Sequence, residues 1–148
     1  MKAVRYHSYG DSDALVYEEA DRPVAGPGQA VVQVAGTSFN PVDAAIRAGF
    51  LQQAFPVAFP HIPNFDVAGV IAEVGEGVSG WSVGDAVVAF LPMTAPGAAA
   101  EYVAAPAKAL AAAPRTGELA DAAALPSAGL AAWQSLFEHG GLKTGRAS

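Results

Sequence analysis

The residues whose types and spacing could do chemistry are concentrated between positions 38 and 85, beginning with a short predicted helix. Asn40 is typical of a helix N-cap, because its side-chain oxygen can accept a hydrogen bond from a free N–H group of the first turn. Pro41 suits the first helical position, Asp43 adds negative charge to the first turn, and Gly49 can supply a left-handed end. Asn40 is therefore predicted to be fixed at a strand-to-helix junction, beside a loop that can line a pocket. It is a candidate cap and a candidate binding residue.

Two charged residues lie on the same predicted helix. Asp43 is interpreted as a capping and structural acid rather than a proton donor. Arg47 is interpreted as a solvated or loop-binding cation. Neither residue carries a catalytic prediction.

The three histidines do not predict a metal site. They are His7, His61 and His139, which are widely spaced, and the chain has no cysteine. Zinc needs three or four N, S or O donors at close range, so we expect no metal and interpret each histidine as a surface or locally hydrogen-bonded residue. A Ser-His-Asp triad has no support either, because no G-x-S-x-G motif is present.

Residues 75–80 match the pattern G-x-G-x-x-G and follow a predicted strand. A dinucleotide-binding motif also needs a helix to begin there, so that the helix N-terminus meets the pyrophosphate. The next residues, 81–85 (WSVGD), cannot form that helix. We interpret this segment as a turn between strands.

Composition excludes several classes of function. A net charge of −6 with no basic stripe argues against nucleic-acid binding. The chain shows no signal-peptide pattern and no 18-residue apolar run free of proline and charge, so we expect no membrane association and a cytoplasmic location. A length of 148 residues allows one sizeable core.

The elements that must position Asn40 are mostly strands. β-branched and apolar runs predict strands at 2–7, 14–19, 29–36, 65–74 and 85–91, with less regular alanine-rich candidates at 98–104 and 107–112. The run at 65–74 is the most apolar and is predicted to be central. Prolines keep 51–63 irregular.

The end of the chain is predicted to be helical. Two helices are expected at 118–125 and 127–139, separated by Pro126 and stopped by glycines at 140–141. Leu130, Trp133 and Phe137 give the second helix one apolar stripe. Strands followed by helices predict a mainly β fold: a partly closed β-barrel with a helical tail.

Taken together, these segments resemble the zinc-independent quinone oxidoreductases (zeta-crystallin type) of the medium-chain dehydrogenase/reductase superfamily. The order and spacing of six segments carry the resemblance: Met1 to Val4, Asn40 to Asp43, Asp66 to Gly75, Val83 to Asp85, Ala123 to Pro126 and Gly129 to Leu136. The part resembled is the N-terminal GroES-like catalytic domain, which would occupy 1–125. Residues 126–148 would form a helix and linker leading into a cofactor-binding Rossmann domain.

The resemblance implies a site and a cofactor. In the family the residue matching Asn40 lies beside the nicotinamide end of NADPH, which implies a cofactor contact there. Phe39, Asn40, Phe50 and Phe65 would form the substrate pocket. No catalytic residue is assigned. Zinc-dependent relatives have a Cys where this chain has Asn40 and a His-Glu pair where it has Phe65-Asp66, which agrees with the absence of a predicted metal.

Four positions depart from the family pattern. Ala45 and Phe50 replace tyrosines, Asn64 replaces a glycine, and Ala131 replaces a threonine whose hydroxyl could bond the cofactor. We therefore expect a more apolar pocket than usual, without tyrosine-assisted protonation.

The function implied is hydride transfer from NADPH to a quinone or other conjugated carbonyl. Because the 148 residues contain no Rossmann segment, NADPH would be held mainly by a domain outside them, and we expect the chain alone to be inactive. The alternative is a non-enzymatic GroES-like module. It would act by self-association, or by pairing with a separate Rossmann chain, through the Leu130, Trp133 and Phe137 face.

Overall fold

The computed structural model describes residues 1–143 and contains seven strands and two α-helices within that range. The strands are β1 Lys2–Arg5, β2 Val16–Glu19, β3 Gln29–Ser38, β4 Asp66–Val74, β5 Ala86–Phe90, β6 Tyr102–Pro106 and β7 Leu110–Ala112; the helices are α1 Pro41–Arg47 and α2 Pro126–Trp133. Short 3₁₀ turns lie at Ser12–Ala14, Ala107–Ala109 and Leu119–Ala124, and a π-helical turn at Gln134–His139.

The main sheet has five antiparallel strands in the order β6-β3-β4-β5-β7. Strand β4 is central, as its apolar run predicts. It is buried along most of its length. The close pairing of β3 and β4 requires Gly69, because a Cβ there would lie 2.1 Å from the backbone oxygen of Gln33.

A second sheet pairs β1 with β2, and two isolated bridges tie β1 and its continuation to the rest of the chain. The bridges join Ala3 to Ala100 and Tyr6 to His61. Twelve buried residues form the main core, including Val32, Phe65 and Ile71. The architecture confirms the predicted mainly β fold class.

The alanine-rich segments differ from prediction. The strand expected at 98–104 is displaced to Tyr102–Pro106. The strand expected at 107–112 is reduced to Leu110–Ala112 after a 3₁₀ turn, and the helix expected at 118–125 is only the 3₁₀ turn Leu119–Ala124. Alanine has no side chain to favour one face or one backbone state by packing, so its runs predict elements without fixing their type or register.

The tail also differs in detail. The single helix expected at 127–139 begins one residue earlier, with Pro126 at the first helical position, and changes from α to π geometry after Trp133. It ends at His139, and Gly141 follows with φ +63°, as the predicted glycine stop requires. Within residues 1–143, no helix has the length and apolar character needed to cross a membrane.

Candidate functional site

Asn40 is the N-cap of α1, and the Asp43 side chain supplies one half of a capping box. The backbone N–H of Asn40 donates to Asp43 Oδ2 at 2.8 Å, and the backbone N–H of Asp43 donates to the Asn40 carbonyl at 2.9 Å. Asn40 occupies the predicted N-cap position and Gly49 is left-handed, with φ +82°, as predicted. The predicted hydrogen bond from the first turn to the Asn40 side-chain oxygen is not found among the described residues, and the first-turn N–H of Asp43 bonds the backbone carbonyl instead. Asn40 is thus fixed where β3 passes into α1.

The side chain of Asn40 is held by a second carboxylate, that of Asp66. Asn40 Nδ2 donates to Asp66 Oδ2 at 2.9 Å. The Ser38 hydroxyl donates to the same oxygen at 2.8 Å, and the backbone N–H of Ser127 donates to Oδ1 at 2.9 Å. Asp66 is 1% exposed and has no cationic partner among the described residues. One buried carboxylate therefore joins the end of β3, the cap of α1 and the first turn of α2.

Asp43 is a structural acid, as its position predicts. It is buried, and its Oδ1 accepts a hydrogen bond from the backbone N–H of Asn64 at 3.0 Å. Burial raises the pKa of Asp43 above its usual value, and the hydrogen bonds from Asn40 and Asn64 oppose that rise. Asn64, which stands where the resembled family has glycine, adopts φ +71°, a left-handed conformation that asparagine tolerates.

Arg47, at the end of α1, binds a loop, as predicted. Its Nη1 donates to the carbonyl of Gly10 at 2.9 Å, and the backbone N–H of Gly10 donates back to the Arg47 carbonyl at 3.0 Å. Arg47 therefore holds the 3₁₀-containing loop against α1.

The four predicted pocket residues fall into two groups. Phe39 is 59% exposed and Phe50 85% exposed, while Asn40 is half-buried. Phe65 is only 4% exposed and packs edge-on against Phe90, with ring centroids 5.1 Å apart. Phe39, Asn40 and Phe50 are thus available to a bound molecule, whereas Phe65 lies in the hydrophobic core.

Two cavities were compared with the predicted pocket, and neither is lined by Phe39, Asn40 or Phe50. The cavity lined by Phe65, Tyr6, Asp43 and His61 has a volume of about 10 Å³, which fits a water molecule and no quinone. A second cavity of about 320 Å³ is lined by residues such as Arg5, Gln29 and Tyr102. We place the candidate site at Asn40, where a side-chain amide meets a buried carboxylate, and not at this second cavity.

The histidines occupy different environments. His7 is exposed and its Nε2 lies 2.6 Å from Glu18 Oε1. His139 is exposed as well. His61 is not at the surface, which was one of the two environments predicted for the histidines. It is buried, its ring lies edge-on to that of Tyr6 at 5.3 Å, and burial lowers its pKa to about 4. Across residues 1–143, no group of three or more His, Cys, Asp or Glu side chains could hold a metal ion.

The role of Asp66 was not predicted. A signal was present, because Asp66 is an acidic residue at the start of the mostly apolar run that forms the central strand, and a buried carboxylate must find hydrogen-bond donors. Its partners could not be named from the sequence. They are 26, 28 and 61 residues away.

Residues 75–80 form the turn between β4 and β5, and no helix begins there. Gly77 and Gly80 have φ values of +76° and +81°. The turn interpretation is confirmed, and this glycine-rich segment offers no helix N-terminus to a pyrophosphate.

The fold and this site define a GroES-like domain of the alcohol dehydrogenase type. Residues 26–115 match the family model described as the alcohol dehydrogenase GroES-like domain, and the chain belongs to that family.

Among its relatives is the chloroplast envelope quinone oxidoreductase homolog of Arabidopsis thaliana, which is 40% identical over 97% of this chain and 44% of its own length. The NADPH-dependent alkenal/one oxidoreductase of the same plant is 37% identical over 86% of this chain and 35% of its own length. The quinone oxidoreductase structure from Coxiella burnetii superposes with a TM-score of 0.88 at 28% identity, covering 98% of this chain and 46% of that one. The predicted resemblance is confirmed, and the chain spans less than half the length of these relatives.

Proposed function

We propose that this chain is the substrate-shaping portion of an NADPH-dependent quinone or enone oxidoreductase. The observation that carries the proposal is the Asn40 side chain: a half-buried amide, oriented by a buried carboxylate, next to the exposed ring of Phe39. Relatives named quinone oxidoreductase and NADPH-dependent alkenal/one oxidoreductase support this assignment.

The residues present fit the nicotinamide end of NADPH and not its phosphates. Phe39 offers an apolar ring face, and Asn40 offers an amide that can hydrogen-bond a carboxamide or a carbonyl. The glycine-rich turn at 75–80 has no helix to bind a pyrophosphate. We therefore assign only the reactive end of the cofactor to this chain, and the rest of its binding to a further domain.

NADPH, when bound, supplies the hydride, and a conjugated carbonyl compound accepts it. In this proposal Asn40 orients the nicotinamide, while Phe39 and Phe50 provide the apolar surface against which a quinone or enone lies. Phe65 is buried in the core and is not part of that surface. The proposal keeps the cytoplasmic location that the sequence predicts, although the names of the plant relatives place them in the chloroplast.

A chimera tests the proposal. Residues 1–143 would replace the matching N-terminal portion of the Arabidopsis quinone oxidoreductase homolog, and NADPH oxidation would be followed with cyclohex-2-enone and with 1,4-naphthoquinone. We expect turnover, and a fall in kcat/KM of about 10- to 100-fold in Asn40→Ala, as for loss of one or two positioning hydrogen bonds. Gln52→Ala removes an exposed amide from the turn after α1 and is the matched control. A folded chimera that binds NADPH but reduces neither compound would refute the proposal.

A second candidate function is self-association, favoured by the face formed by Leu130, Trp133 and Phe137. These side chains are 48%, 58% and 39% exposed, and the rings of Trp133 and Phe137 lie 4.6 Å apart. Residues 126–137 carry no charge, so two copies could pack these faces about a two-fold axis without like-charge repulsion. In light scattering, a monomer at high concentration would count against this candidate.

A further inference from the structure

The carboxylate of Asp66 is an acceptor surrounded by donors. Ser38 and Asn40 share Oδ2, and Ser127 occupies Oδ1. An ionised carboxylate can only accept hydrogen bonds, so each group that faces it must present a hydrogen. For the Asn40 amide, that requirement selects Nδ2 over Oδ1.

The opposite orientation of Asn40 would place Oδ1 against the carboxylate. Two acceptors would then face each other in a buried setting, and Asp66 would lose one of its three donors. The Asn40 amide therefore has one permitted orientation. The group that determines it is the carboxylate of Asp66, 26 residues away in β4.

We infer that Asp66 is a positioning residue for the candidate site: its carboxylate sets the orientation of the Asn40 amide and anchors it to the first turn of α2. Asp66 touches no bound molecule in this role, because it is 1% exposed. The structural part of the inference stands on the hydrogen bonds alone. Its consequence for binding rests on the proposed function.

The experiment uses the intact chain with ¹⁵N-labelled asparagine. The chain has two asparagines, Asn40 and Asn64, so the spectrum holds two side-chain NH₂ pairs, and an Asn40→Asp variant assigns them. We expect one Asn40 proton to be shifted downfield and to exchange with water about tenfold more slowly than an exposed amide. If both Asn40 side-chain protons have the chemical shifts and exchange rates of an exposed amide in the unmodified chain, the inference is wrong, and no variant is needed to show it.

Three variants separate positioning from stability. Asp66→Ala removes both acceptor oxygens, and we expect it to abolish the shifted Asn40 proton. Asp66→Asn retains one oxygen, which we expect to face the backbone N–H of Ser127, because that group can only donate, whereas the Ser38 hydroxyl and a reversed Asn40 amide can accept from the new NH₂ group. This variant is therefore expected to lose the shifted Asn40 proton, as Asp66→Ala does. Ser38→Ala removes a different donor from the same oxygen and should leave the Asn40 signal in place.

The outcomes are distinct. If Asp66→Ala folds and keeps the Asn40 signal, or if Ser38→Ala abolishes it as fully as Asp66→Ala, the inference is wrong. If Asp66→Ala does not fold, retention of the shifted Asn40 proton in a folded Asp66→Asn variant would likewise contradict it. Titration with cyclohex-2-enone, which has no cysteine to react with here, tests the proposed function separately. Failure to shift the Asn40 pair would refute binding at Asn40 and leave its positioning by Asp66 intact.

Discussion

Replacing His61 with phenylalanine should change how the stability of this chain responds to acid. His61 is buried against Tyr6 and lines the small cavity that Asp43 also lines. Burial lowers its pKa from 6.5 to about 4 in the folded chain. As the pH falls, the unfolded chain takes up this proton first. The contribution of neutral His61 to stability is therefore complete above pH 6.5 and is lost as the pH falls toward 4.

The size of the effect follows from the two pKa values. A difference of about 2.5 pH units corresponds to about 3 kcal/mol of unfolding free energy, of which about 2 kcal/mol is lost between pH 7 and pH 5. Asp43 acts in the opposite direction. Its raised pKa means that the folded chain takes up the Asp43 proton more readily than the unfolded chain, which favours folding in acid. His61→Phe removes the first contribution and leaves the second.

Urea denaturation followed by tryptophan fluorescence would measure the effect at several pH values from 7 to 5. We expect the unmodified chain to lose about 2 kcal/mol more than His61→Phe over this interval. His7→Phe is the control, because exposed His7 lies against Glu18 on the surface rather than in the core. Parallel pH profiles for the unmodified chain and His61→Phe would show that His61 takes up its proton at an ordinary pH in the folded state, and the reasoning from burial would then be wrong.

Three further predictions concern packing and association. Phe65→Ala should lower the unfolding free energy by about 3–4 kcal/mol, whereas Phe50→Ala, at an 85% exposed position, should change it by less than about 0.5 kcal/mol in the same urea assay. Gly69→Ala should cost about 3 kcal/mol or more, or prevent folding, because its Cβ would meet the Gln33 backbone oxygen at 2.1 Å; soluble yield and thermal melting would reveal a tolerated substitution. Trp133→Asp should abolish any concentration-dependent increase in mass by light scattering, and an unchanged dimer would place the interface elsewhere.

The parts of the fold that were predicted well are those with large, distinctive side chains. The Val- and Ile-containing run from Val67 to Ile71 forms the central strand, and Asn40 with Pro41 begins a helix where expected. Prediction failed in the alanine-rich segments, such as 118–125, because alanine packs acceptably in a strand, a 3₁₀ turn or a helix. Long-range hydrogen bonds then determine which element forms, and these bonds cannot be predicted from the neighbouring residues in the sequence.

The candidate site was predicted only in its local part. The Asn40 and Asp43 cap depends on residues three apart, which a sequence displays directly. The exposure of Phe50 and the burial of Phe65 depend on where α1 and β4 lie in the folded chain. The sequence alone could not distinguish them, so both were predicted to line the pocket. The contact between Asn40 and Asp66 depends on the antiparallel pairing of β3 with β4, in which Ser38 lies opposite Asp66.

That pairing also explains how a buried carboxylate is tolerated without a cation. The β3–β4 register brings Asp66 to the junction at which β3 ends and α1 is capped, and α2 returns its first turn to the same point. A hydroxyl, a side-chain amide and a backbone N–H from the positive end of α2 then share the charge. Replacement of Asp66 by an apolar residue would leave all three donors without this acceptor. The buried carboxylate is stabilised by these donors, and the donors are satisfied by the carboxylate. The Asn40 amide is therefore one of the groups that stabilise the Asp66 charge, and its orientation is already fixed in the unliganded chain.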